Sequence, residues 1–209
     1  MIKSLLASLS VAALLAATTA AQAALVADTG TPNGSAVGAL AFDSIDWVAA
    51  QVTFAQASSV GGIQGHVLGG AAGETFDVSL FANEAVQGPG TLLYTTTATF
   101  GVDGWNGVSG LSGWTVAAGS YWIGLEIQGD DTLGSSGVTG ALLDQGAPNP
   151  LAMTATTNDG GWSYQATPAS FGLRVDASAV SALPWPSSAS LMLAGVALLS
   201  ALGLVRRAR

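Results

Sequence analysis

The sequence predicts an all-β fold: an antiparallel β-sandwich with jelly-roll-like connections, flanked by an N-terminal signal helix and a C-terminal transmembrane helix. Three observations predict it. The central residues contain short stretches in which apolar and polar side chains alternate, turn residues separate these stretches, and long apolar runs occur only at the two ends. A length of 209 residues with 28 glycines favours one domain with terminal segments.

The predicted strands follow from a period of two. Phe76, Val78 and Leu80 alternate with polar residues, and the same alternation recurs over residues 121–128 and 171–176. Four further runs of suitable length and composition are predicted to be strands, at residues 47–54, 92–100, 140–143 and 162–165. No run of ten or more residues in the central part has a sustained helical period.

Turn chemistry separates these runs. Asp and Gly occur together at residues 103–104, 129–131 and 159–161, and two prolines flank Asn149. Short strands between such turns, in a chain rich in glycine, are typical of antiparallel sandwiches.

The charge distribution excludes one class of partner. The segment from Asp28 to Asp176 holds all thirteen acidic residues and only one basic residue, Arg174, so its net charge is −12. Such a surface repels phosphate backbones, and we therefore expect no nucleic-acid partner.

Residues 1–23 are predicted to be a signal peptide. Lys3 precedes an apolar stretch, and Ala21-Gln22-Ala23 forms the small-x-small pattern that signal peptidase recognises. Cleavage after Ala23 leaves Ala24 as the first mature residue, and the domain is predicted to span residues 24–180. The chain has no cysteine, so an exported domain must be stabilised without disulfides.

Residues 181–209 are predicted to be a sorting and anchoring segment. Residues 187–205 carry no charge and as a helix would span about 28 Å, close to the hydrocarbon thickness of a bilayer. Arg206, Arg207 and Arg209 follow at once, which by the positive-inside rule keeps the C-terminus in the cytoplasm and the domain outside. A core helix is the alternative, but its apolar residues lie all around the helix.

The tail resembles the PEP-CTERM sorting signal. Leu183-Pro184-Trp185-Pro186 provides a Pro-x-Pro motif, followed by Ser187-Ser188, an apolar run and the arginine cluster. Trp185 stands where the common form of the motif has glutamate. The resemblance implies an inner-membrane anchored precursor, transient recognition by an exosortase-like transpeptidase, and delivery to the cell surface or an extracellular polysaccharide matrix.

The proline pair has two other interpretations. Prolines stop helix propagation, so a plain juxtamembrane linker would look similar. Sortase processing is rejected because Pro186 and Ser187 stand where threonine and glycine would be required.

The central part also resembles a family. FDVSLFANEAVQGPGTLLYTTT and the later AAGSYWIGLEI are similar to choice-of-anchor β-sandwich domains of bacterial surface proteins. The resemblance spans about residues 76–127 and implies a fold without implying any catalytic residue.

Few residues suggest catalysis. His66 is the only histidine, and no common hydrolase, zinc or phosphate-binding motif is present. The carboxylates considered for glycosidase chemistry are Asp103, Glu126, Asp130, Asp131 and Asp144. We expect no cofactor and no metal site, although the adjacent Asp130 and Asp131 left calcium as an alternative.

The tryptophans suggest a binding role. Trp105, Trp114, Trp122 and Trp162 lie in the second half of the chain, and exposed indoles bind sugar faces, although core packing is the commoner role. Trp122 is the best candidate for a glycan contact because the alternation places its side chain on the other face of the strand from Tyr121, Ile123 and Leu125. The expected function is that of an exported, non-enzymatic surface or matrix protein. The alternatives are a carbohydrate-binding module and a glycan-active hydrolase.

Overall fold

The computed structural model describes residues 23–33, 39–84, 88–135, 141–161 and 163–180, and these ranges form two antiparallel β-sheets. They contain no helix, and therefore none that could cross a membrane. The signal helix and the transmembrane helix predicted at the ends lie outside the described residues.

Sheet A is built around one long central strand, β4. Residues Gly62–Gly65 of β4 pair with β13 on one side and with β7 on the other. Near the C-terminal end of β4, β10 takes the place of β13 as the neighbouring strand. Val67 of β4 pairs with Leu143 of β10 on that side and with Gly104 of β7 on the other. The strands of sheet A are β1 (Ala24–Asp28), β2 (Ala39–Phe42), β4 (Ser58–Leu68), β7 (Gly104–Ser109), β8 (Thr115–Val116), β10 (Ala141–Asp144) and β13 (Leu173–Ala179).

Sheet B has the strand order β12-β11-β3-β9-β5-β6. Every pairing in it is antiparallel. Its strands are β3 (Asp46–Phe54), β5 (Thr75–Asn83), β6 (Pro89–Thr99), β9 (Gly119–Glu126), β11 (Thr154–Asn158) and β12 (Gln165–Thr167).

The two sheets share one hydrophobic core. Ile63, Leu143 and Leu173 of sheet A and Leu80 and Leu125 of sheet B are completely buried in the same cluster. In these strands the side chains that enter the core recur at about every second residue, so the alternation in the sequence marks the face that enters the core. The predicted β-sandwich-like, all-β architecture is confirmed.

Most of the predicted strands are present. The runs at 47–54, 76–80, 92–100, 121–128, 140–143 and 171–176 correspond to β3, β5, β6, β9, β10 and β13, with ends shifted by a few residues. The run at 162–165 overlaps β12 only at Gln165. The prediction missed β4, because its sequence SSVGGIQGHVL contains three glycines and lacks a clear alternation.

The glycines of β4 are explained by close contacts. A Cβ placed on Gly65 would lie 2.5 Å from Cδ1 of Leu125, which reaches across the core from sheet B. On Gly61 and Gly62 it would lie 2.6 and 2.5 Å from the carboxylate oxygens of Asp176. The glycines of β4 thus match the side chains that pack against this strand, and a larger residue would require those side chains to move.

The strands at the two ends of the domain lie side by side. β1 pairs with β13, and Ala24 lies opposite Ala177. The chain therefore enters and leaves the domain at the same end of the sandwich.

The contact between β7 and β4 can be tested with two glycines. A Cβ on Gly107 would lie 2.1 Å from the carbonyl oxygen of Ile63 and 2.7 Å from Cα of Gln64, both backbone atoms. Gly107→Ala is expected to lower the free energy of unfolding by about 1–3 kcal/mol or more, since backbone cannot move aside as a side chain can. Gly101→Ala, whose Cβ meets nothing closer than 3.8 Å, is the matched control and should change stability by about 0.5 kcal/mol or less. Urea denaturation of both variants measures the difference, and equal effects would contradict the interpretation.

Candidate functional site

The outer face of sheet A carries a row of polar and aromatic side chains. The guanidinium carbon of Arg174 lies 3.9 Å from the centre of the Trp105 ring, and Nε of Arg174 lies 3.2 Å from Oδ1 of Asp28. The backbone amide of Gly30 also donates to this carboxylate and, with Arg174, holds the pKa of Asp28 below its usual value. Arg174, the only cation between the two ends of the chain, is thus used in a cation–π contact and an ion pair.

The same row contains His66. It lies in β4, the central strand of sheet A, and its ring makes an edge contact with Trp105 at 5.2 Å between centroids. Nδ1 lies 3.2 Å from Oδ2 of Asp144, close enough for an ion pair when the imidazole is protonated but without the alignment of a hydrogen bond. Since β4 is paired on both sides, His66 lies neither in a loop nor in an edge strand.

The outer face of sheet B is also covered. Trp122 points away from the main core, as the alternation predicted, but its side chain is 0% exposed. It packs with Ala49, Ala155, Phe81 and Tyr164 in a second, smaller cluster, and its indole N–H donates to Oδ1 of Asn83 at 3.0 Å. The exposure predicted for Trp122 is therefore wrong, and its ring cannot serve as a platform for a sugar.

The other tryptophans are no better placed. Trp105 is half-buried beneath Arg174, Trp114 is buried and stacks on Tyr94 at 5.2 Å, and Trp47 is buried. Trp162 lies outside the described residues. Within the described part of the chain, then, no tryptophan offers an open indole face.

Sequence reasoning did not anticipate the burial of Glu126. Its side chain is 1% exposed and accepts three hydrogen bonds of 2.7 Å, from Oγ of Ser79, Nε2 of Gln128 and the hydroxyl of Tyr164. Burial raises its pKa, although the three donors act in the opposite direction. Burial and the neighbouring carboxylate also raise the pKa of Tyr164, so the phenol keeps its proton and remains a donor.

A shallow valley borders this buried cluster. Three adjoining clefts of about 420, 410 and 380 Å³ share the side chain of Gln128 as a common wall. One end of the valley is aromatic and apolar, with Phe81, Leu92 and Tyr164. The other end is acidic, with Asp77, Asp130 and Asp131. This valley brings apolar, amide and acidic groups together on the surface of the domain.

The carboxylates considered from the sequence do not form one group. Asp144 lies beside His66 on sheet A, and Asp103 accepts a 2.7 Å hydrogen bond from the amide of Gly69. Asp130 and Asp131 line the acidic end of the valley, where Asp131 also accepts from the amide of Gln128 at 3.0 Å. Among the residues that the structure describes, no three His, Cys, Asp or Glu side chains are grouped to hold a metal ion.

The residues of the terminal signals are only partly within the described ranges. Ala23 is exposed, and Ala24 is the first residue of β1. Ala21, the motif Leu183-Pro184-Trp185-Pro186, and Arg206, Arg207 and Arg209 lie outside them. Their predicted roles remain predictions.

No family model matches the chain, and no curated protein is similar to it.

The pKa of Glu126 gives a prediction for pH dependence. Because the pKa is raised in the folded state, the contribution of Glu126 to stability is fully present below its ordinary value of 4.5 and is lost as the pH rises through the raised value. The stability of the wild type should therefore fall relative to that of Glu126→Gln as the pH rises from about 4 to 8. Urea denaturation at several pH values measures this difference.

Asp130→Asn is the control, since it removes one negative charge from an exposed position. It separates the loss of one surface charge from the loss of the buried carboxyl. A Glu126→Gln curve that runs parallel to the wild type would contradict the assigned burial.

Proposed function

We propose that this protein is an exported, non-enzymatic β-sandwich domain, sorted through its C-terminal signal by an exosortase-like transpeptidase to the cell surface or an extracellular matrix. One observation carries the proposal. The first strand begins at Ala24, the residue expected to follow signal-peptide cleavage, and the last strand ends at Ala179, four residues before Leu183. The two signals thus flank the domain without interrupting it.

The position of the two ends supports this arrangement. Because Ala24 lies opposite Ala177, the described domain begins and ends at one end of the sandwich, and both predicted segments join it there. Removal of residues 1–23 or 183–209 would keep every residue of β1 and β13. A domain tethered at one end also keeps its two outer faces accessible.

The strand order supports a jelly roll. Eight strands, β1, β3, β4, β5, β6, β7, β9 and β13, can be counted first to eighth along the chain. Sheet A then has the order first, eighth, third, sixth, and sheet B the order second, seventh, fourth, fifth. We infer jelly-roll connectivity from this order, in which the chain crosses repeatedly between two facing sheets.

The placement of the reactive groups supports a role other than catalysis. His66 and Asp144 lie on sheet A, whereas Glu126 lies on sheet B and is held by three donors. The fold alone does not assign an activity, so the proposal depends on the signals and on this placement.

A carbohydrate-binding role is the second candidate, and the valley on sheet B favours it. Phe81, Leu92 and Tyr164 offer apolar surface beside the amide of Gln128, a combination that suits the faces and hydroxyls of a sugar. The net charge of −12 between Asp28 and Asp176 favours a neutral glycan over an anionic one.

The sorting proposal is tested by the mass of the mature protein. We expect the surface fraction to contain a chain that starts at Ala24 and lacks residues 187–205, measured by intact-mass spectrometry after fractionation. A chain truncated before Leu183 should bypass the membrane-anchored precursor and appear in the soluble exported fraction. An apolar segment still attached in the surface fraction would contradict processing.

The glycan candidate is tested with two neighbouring leucines. Leu92 and Leu93 are 48% and 41% exposed, but only Leu92 lines the valley. On arrays of neutral and anionic glycans we expect binding to neutral ones only, reduced several-fold by Leu92→Ala and unchanged by the control Leu93→Ala. Equal effects of the two substitutions, or no binding at all, would contradict the candidate.

A further inference from the structure

β6 is the outermost strand of sheet B on one side, and it is unusually long for an edge. It runs over eleven residues, Pro89–Thr99, whereas the opposite edge of sheet B is β12 with three residues. In sheet A, the described strands with one neighbour, which are β1, β2, β7 and β8, have five, four, six and two residues. Among the described strands, β6 is thus the longest that has a neighbour on one side only.

Over residues 95–99 this edge lacks the usual protection against pairing, since Pro89 and the two register shifts of the β5–β6 pair lie nearer the start of β6. Natural edge strands carry charged residues, especially lysine, or are short, because their unpaired N–H and C=O groups can pair with another chain. No charged residue occurs between Pro89 and Phe100, although the domain has thirteen acidic residues. Thr95, Thr97 and Thr99 are exposed, and threonine favours β-structure.

The hydrogen bonds identify which backbone groups face outward. The amide of Phe100 donates to the carbonyl of Glu74 at 2.7 Å, and the pairing continues in register as Thr99 opposite Thr75 and Ala98 opposite Phe76. In an antiparallel pair, hydrogen-bonded and non-hydrogen-bonded positions alternate. The N–H and C=O groups of Thr95, Thr97 and Thr99 therefore point away from β5, toward the open edge.

We propose that β6 pairs with β6 of a second copy of this chain, antiparallel and about a two-fold axis at Thr97. In this register Thr97 lies opposite Thr97 of the second copy, and Thr95 lies opposite Thr99. All three outward positions then form hydrogen-bonded pairs, each with two N–H to C=O bonds. The two copies of sheet B become one continuous sheet.

A second copy fits this edge for reasons of charge and symmetry. A domain with a net charge of −12 repels a second copy of itself over most of its surface, and the uncharged strand is where two copies can approach closely. An antiparallel strand pair about a two-fold axis uses the same surface on both copies, so the assembly closes as a dimer. The register also brings Leu93 near Val102 of the other copy, and these side chains are 41% and 75% exposed. This inference does not depend on the sorting proposal.

The full-length chain is suited to a disulfide test because it contains no cysteine. Opposite Cα atoms in a hydrogen-bonded pair lie about 5.5 Å apart, within the range that a disulfide bridges. Thr97→Cys is therefore expected to form a covalent dimer under mild oxidation with copper phenanthroline, read out by non-reducing electrophoresis and intact mass. Thr95→Cys alone should form little dimer, whereas Thr95→Cys combined with Thr99→Cys should cross-link efficiently.

Two further variants make the outcome decisive. Ala166→Cys places a thiol at an exposed site on β12, the opposite edge strand of sheet B, and it should yield at least about tenfold less dimer than Thr97→Cys. Thr99→Pro, added to Thr97→Cys, removes an outward N–H without removing a β5–β6 bond, and it should lower the dimer yield. Equal cross-linking of Ala166→Cys and Thr97→Cys would indicate association that does not use β6 and would overturn the proposal. A product of Thr97→Cys with a different protein, or no product, would also overturn it.

Discussion

The close approach of the two sheets at β4 is the constraint on which the rest of the structure depends. Leu125 of sheet B occupies the space that a side chain at Gly65 would need, and Asp176 lies over the backbone of Gly61 and Gly62. With glycine at these positions, β4 pairs with β13 and β7 at once without displacing the side chains of Leu125 and Asp176. Since β13 in turn pairs with β1, this packing also brings the two ends of the domain together.

Sheet B is buried on both faces over part of its area, which is unusual for a small antiparallel sandwich. Trp122 and Glu126 lie on the outer face, yet the aromatic ring of Tyr164 packs against Trp122 and its hydroxyl binds Glu126. Burial disfavours the charged form of Glu126, whereas its three hydrogen-bond donors favour it. The pKa of Glu126 is raised, so burial is the larger effect. The groups that a ligand could contact therefore lie at the margin of this cluster, in the valley around Gln128, which has apolar and acidic walls.

The proposed functions use parts of the molecule that overlap at one strand. The described domain begins and ends at one end of the sandwich, where β1 pairs with β13, whereas the valley lies on the outer face of sheet B. The valley and the pairing edge share β6, because Leu92 and Thr97 of this strand line the valley. The proposed glycan contact and the proposed pairing edge are therefore neighbours on one strand.

The sequence by itself determined the strands with regular alternation, such as β3, β5, β9 and β13, because a period of two fixes which side chains face the core. It also predicts the terminal signals, since those are patterns of composition and charge along the chain. Tertiary structure alone decided the position of β4, because its glycines are explained by close contacts with Leu125 and Asp176, which are distant in sequence. It likewise decided the burial of Trp122. Alternation assigns a side chain to a face of the sheet, but only long-range packing by Phe81 and Tyr164 determines whether water reaches that face.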